Sequence, residues 1–75
     1  MSDNKEFNFN IEKDYGSFGE GTWQYHLTKT SWQGRPAKLD VRQWNEDMSQ
    51  MGKGVTLTDA DAFELMTLLE DALTE

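Results

Sequence analysis

Four cations and two indole rings fall between positions 32 and 53: Trp32, Arg35, Lys38, Arg42, Trp44 and Lys53. The densest part is Lys38-Leu-Asp-Val-Arg-Gln-Trp44. Strand side chains leave alternate faces, so Leu39 and Val41 point one way and Lys38, Asp40, Arg42 and Trp44 the other. The apolar side can join a core. The other side offers cations for phosphates and a ring for stacking bases, a pairing that suits single-stranded nucleic acid. A lone surface cation is ordinary, and a lone tryptophan is more often core. Two tryptophans on a face opposite the core, set among cations, call for a partner: a base or another protein. On these residues alone nucleic acid stands ahead of a protein-interaction module, in which the tryptophans would be hot spots and the cations their rim. Stacking does not distinguish sugars, so RNA stays open beside DNA.

Catalytic chemistry has little to stand on. His26 is the single histidine and has no serine or cysteine partner signature nearby. Its expected state is a solvated or hydrogen-bonded strand residue. There is no cysteine, and no spacing fits a metal site. Gly16, Gly19 and Gly21 match neither a dinucleotide fingerprint nor a P-loop. The chain is therefore expected to be non-enzymatic, with no cofactor, no metal and no small-molecule substrate.

The net charge of -7 opposes nucleic-acid binding at first sight. Its distribution matters more. Asp59, Asp61, Glu64, Glu70, Asp71 and Glu75 occupy the C-terminal stretch with no cation among them. Residues 1–20 are also net acidic, and the cations predominate between. A binding face is possible if the fold holds the acidic ends away from it.

The elements that must position these residues follow in order. Residues 1–5 read as a flexible polar tail and 6–75 as one domain. Phe7, Phe9 and Ile11 alternate with polar residues as a first strand. Asp14 to Gly21 has three glycines and no period, and reads as a loop. Thr22 to Trp32 is a second strand, with Tyr25 and Leu27 inward and Lys29 following in their phase. A turn at Gly34 and Pro36 leads to the third strand, Lys38 to Trp44. A polar loop and a Gly-Lys-Gly turn precede a short fourth strand, Gly54 to Thr58. From Asp59 the period becomes helical, with Ala62, Leu65, Met66, Leu69, Ala72 and Leu73 on one stripe. Phe63 and Leu68 widen it. Thr58 is placed to cap the helix and Asp61 to complete the cap. The reading is an α+β fold, β-β-β-β-α, an antiparallel meander with a helix on one face.

A domain of 75 residues without disulfide or metal staples often gains stability by pairing, so a homodimer is expected. No apolar run approaches a membrane span and no signal peptide is evident, which predicts a cytoplasmic protein, nucleoid-associated if it holds DNA.

The runs Leu39-Asp-Val-Arg-Gln-Trp and Met51-Gly-Lys-Gly-Val-Thr-Leu, followed by an acidic terminal helix, resemble the positive cofactor 4-like transcriptional coactivators, in particular their small bacterial YdbC-type members. The resemblance runs from Phe7 to Leu73. It implies a strongly curved four-stranded antiparallel sheet, dimerisation through the helix, and channels that hold single-stranded DNA without sequence preference. Carried over by position, it gives Trp32 a stacking role and Arg35 and Lys38 the cations of the following hairpin. Arg42 becomes the strand arginine, Trp44 falls at or one place from the strand-end aromatic, and Lys53 becomes the lysine before the fourth strand. Gly52 stands where eukaryotic members carry a further cation. The coactivator role belongs to those members, which leaves transcription, replication and repair as the processes implied.

Overall fold

The structure, a computed structural model, describes residues 8–75. Strands β1 (Phe9–Phe18), β2 (Gln24–Trp32), β3 (Lys38–Trp44) and β4 (Met51–Leu57) form one antiparallel sheet in chain order, and helix α1 (Asp59–Thr74) follows. The expected α+β meander is the fold observed. Phe7 and the polar tail lie outside the described residues.

Two boundaries differ from expectation. The glycine-containing stretch expected as a loop is largely strand, because β1 continues to Phe18. Register shifts between Ile11 and Lys13 and between Asp14 and Gly16 interrupt its pairing with β2. A bulge inserts one residue and reverses which face the following side chains take. Two bulges within six residues erase the period of two, so the strand shows no alternation to read. The Gly-Lys-Gly turn is also strand: β4 begins at Met51, with a further shift opposite Gln43.

The turn between β2 and β3 is tight. Gln33 and Gly34 both have positive φ, 52° and 76°, and Arg35 N–H donates to the Trp32 carbonyl at 3.0 Å. That combination matches the primed turns whose twist suits a hairpin.

The two faces of the sheet serve different purposes. Phe18, Leu27, Leu39, Val41 and Leu57 face the helix, and with Ala62, Leu65, Met66 and Leu69 they line a cavity of about 440 Å³. This was expected to be the core, with Tyr25 in it. Instead Tyr25 is 40% exposed, and the helix buries none of its residues completely. Among the described residues the fully buried side chains are Thr28, Thr30, Asp40 and Trp44, all on the face turned away from the helix.

Curvature is the cause. Phe9 pairs with Trp32 at one end of β2, and Trp44 pairs with Gln24 at the other. In a flat sheet eight residues along a strand span about 26 Å. Yet the Phe9 ring lies 5.6 Å from both Trp32 and Trp44. The sheet is curled diagonally until its ends meet across the face away from the helix.

The edge strand β4 also comes close to β3. Gly54 is the register partner of Arg42, and a β-carbon there would overlap the Arg42 Cβ and the Val41 carbonyl. A β-carbon on Gly52 would meet nothing closer than Gln43 at 3.6 Å, an ordinary contact. Gly54→Ala should therefore destabilise the fold by about 2 kcal/mol, in the range of overpacked sites. Gly52→Ala should be neutral or slightly stabilising. Denaturant midpoints at matched protein concentration decide this, and equal midpoints for the two variants would refute the close approach.

Candidate nucleic-acid interface

Strand alternation sets Asp40 and Arg42 side by side on the curled face. Asp40 is fully buried. Its carboxylate accepts from Arg42 Nε at 2.6 Å, Arg42 Nη2 at 2.9 Å and Thr56 Oγ1 at 2.8 Å. The two arginine bonds form a fork, the geometry in which a guanidinium and a carboxylate bind most tightly. Arg42 Nη1 reaches the Gly52 carbonyl at 3.5 Å. The guanidinium is thus held in place, and its carbon sits over the Trp32 ring, 4.9 Å from the centroid. Trp32 in turn packs against Phe9.

This stack forms part of the wall of an open groove of about 390 Å³, lined by Trp32, Arg35, Pro36, Lys38, Arg42 and Thr56. Arg35 and Lys38 are exposed at its edge, and neither has an ion-pair partner among the described residues. The tight turn at Gln33 and Gly34 projects Arg35, while the start of β3 places Lys38 opposite Thr30. The groove opens on the side of the sheet opposite α1. The acidic helix therefore lies behind it, which is how a chain of net charge -7 can present a cationic edge.

Four of the six expected residues meet here: Trp32, Arg35, Lys38 and Arg42. Trp44 does not. It was expected to be exposed for stacking, but it is 1% exposed and packs against Phe9. The curl closes over it, so it is a core residue on the face where none was expected. Lys53 is exposed on β4, next to Gly54, and does not line the groove. Arg42 keeps its position but not as a free charge, because Asp40 neutralises it. Asp40, Thr56 and Phe9 were not identified as parts of the site. An acid and an arginine two apart on one strand face could have signalled the pair. Thr56 and Phe9 join it only through strand pairing and curl.

The far end of the curled face is polar. His26 Nδ1 and Asp14 Oδ2 are 2.9 Å apart, so the histidine is hydrogen-bonded, as its strand position suggested. Beyond it, Asn45, Asp47 and Ser49 tie the β3–β4 loop together. The Ser49 hydroxyl and then its backbone N–H donate to Asp47 and hold that carboxyl below its ordinary value. Among the described residues no cluster of histidines and carboxylates could hold a metal ion. Nor, among them, is any helix long and apolar enough to cross a membrane.

Residues 20–68 match the family described as Transcriptional Coactivator p15 (PC4). The chain is also 44% identical over 69 residues to an uncharacterized protein of Treponema pallidum (strain Nichols), covering 88% of this chain and 80% of the relative.

Asp40→Asn should cost more stability than Thr56→Val. The first breaks a buried ion pair, for which about 3 kcal/mol is the lower end; Arg42 keeps some solvent access, which limits the loss. The second removes one bond to a charged acceptor, worth roughly 1.5–3 kcal/mol. Chemical denaturation of both variants measures the order. A smaller loss for Asp40→Asn would mean that the pair does not hold this face together.

Proposed function

The chain belongs to the transcriptional coactivator p15 (PC4) family, and on that premise we propose that it is a non-enzymatic protein that binds single-stranded DNA with little sequence preference. One observation carries the reading. Within a chain of net negative charge, one groove gathers an indole, a guanidinium laid over it and two exposed cations. Arg35 and Lys38 neutralise phosphates. Trp32 backs the flat wall of the groove against which bases pack. Lys53, exposed on β4 outside the groove, adds a cation for a longer strand. With few cations, binding is weak, and its salt dependence is set by the small number of phosphate contacts. The spacing of the β3 and β4 motifs supports a place among the bacterial YdbC-type members. Single strands exposed in transcription, replication or repair are the natural targets in the cytoplasm or nucleoid.

The active unit is a homodimer paired through α1. The helix leaves Met66 55%, Leu69 52% and Leu73 83% exposed, and Phe63 and Leu68 65% each. A contiguous apolar surface of this kind marks an interface. The Cα radius of gyration is 14.0 Å, against about 11 Å for a compact chain of this length. A second copy covering the helix would complete the core that one copy leaves open. It would also keep the acidic helices together, behind the two grooves.

Intrinsic tryptophan fluorescence should be quenched saturably by a single strand of about 20 nucleotides, weakly by the matching duplex, and less as salt rises. Arg35→Ala and Lys38→Ala should each flatten the slope of log affinity against log salt by about 0.7, the loss of one single-strand phosphate contact. An unquenched spectrum at low salt, with no change in the fluorescence anisotropy of a labelled strand, would refute the reading. For the dimer, sedimentation equilibrium at micromolar concentration should return twice the chain mass of 8.7 kDa. Met66→Glu should shift it to the monomer or unfold it. A wild-type mass of one chain would reject the pairing.

A further inference from the structure

We propose that Arg42 is a base-stacking surface rather than a phosphate contact: the buried Asp40 cancels its charge, and one guanidinium face is left to a nucleobase in the groove. The inference rests on the single-stranded-DNA reading of that groove and goes further, because it gives a cation a role that does not depend on its net charge.

Three features of the site lead there. First, the Nε–Nη2 side of the guanidinium, the edge that would fork side-on onto a phosphate, is already used. Nε and Nη2 both donate to Asp40, and Nη1 is turned towards the Gly52 carbonyl. Second, the ion pair is local. Asp40 has no solvent access, so water does not screen the pair, and a phosphate approaching Arg42 would meet the field of a near-neutral couple. Third, the guanidinium plane is half used. One side covers the Trp32 ring, and the side chain retains 17% exposure where it lines the groove.

Arginine planes stack on unpaired bases as aromatic rings do. The Trp32 ring face beneath is occupied by Arg42, so a base entering here meets the guanidinium first. The order from the interior outward is Phe9, Trp32, Arg42, base. Asp40 and Thr56 are positioning residues: they set the angle of the plane and touch no ligand. Arg35 and Lys38, with no carboxylate partner among the described residues, remain the groove's phosphate contacts.

The test compares two ligands of equal length by fluorescence anisotropy at low salt: a thymidine oligonucleotide of about 20 nucleotides, and a phosphodiester chain of the same length with abasic residues throughout. Arg42→Lys keeps the charge and removes the plane. It should weaken binding to the thymidine strand by about five- to a hundredfold, the range for one lost base stack, and leave the abasic chain unaffected. Lys38→Ala should weaken both ligands alike. If Arg42→Lys with an unchanged circular dichroism spectrum weakens both ligands equally, or neither, Arg42 is not a stacking surface, whereas the function proposed above stands. If the wild type binds neither ligand, that function fails and this role with it. Misfolding of the variant would appear as equal loss on both ligands, and circular dichroism would identify it.

Discussion

A carboxylate with no access to water sits at the centre of the curled face. Burying Asp40 is tolerable only because Arg42 and Thr56 satisfy it with three hydrogen bonds. That requirement ties β3 to β4 and fixes the angle of the guanidinium. It also decides what lies on top, since a guanidinium held there must cover Trp32. The groove's interior surface is therefore a consequence of satisfying one buried acid. Remove the acid, and Arg42 loses both bonds of the fork that fixes its plane.

The burial itself comes from the curl. A flat four-stranded sheet with one helix would leave the face opposite the helix wet. Here Phe9, from the start of β1, reaches Trp44 at the end of β3, and the threonines between them lose all exposure. Gly54 permits the close approach of β4 to β3, and the bulges in β1 let that long strand bend. The indole nitrogens of Trp32 and Trp44 are buried with no hydrogen-bond partner, so the packing there is governed by ring contacts rather than by polar satisfaction.

Curling the sheet towards one side leaves the other poorly filled. The helix packs on β3 and β4 over a cavity and keeps most of its leucines at the surface. The two faces thus have opposite needs. One is a closed polar and aromatic core with a cationic rim. The other is an open apolar surface beside a helix whose charges are all negative. Separating them across the sheet keeps the acids behind the groove, where they interfere least with an anionic ligand.

Much of this is local and was legible in the residues. The order of elements followed from two periods, two residues for strands and 3.6 for the helix, and Thr58 caps α1 by accepting from Asp61 N–H as its position suggested. The face shared by Lys38, Asp40, Arg42 and Trp44 followed from alternation, and the charge partition from counting. What alternation cannot report is how far a sheet bends. It assigned Trp32 and Trp44 to one open face and treated them as equals. Bending then placed one at a groove and the other in a core, because Phe9 arrives from a strand two away. Bulges hid half of β1 for a related reason: an inserted residue resets the phase from which a strand is read. Likewise, the sequence gives Arg42 its charge, while pairing with β4 and burial of Asp40 decide whether that charge is free. Periodicity and composition belong to neighbours along the chain. Burial and the fate of a charge belong to neighbours in space, and only the tertiary structure chooses those.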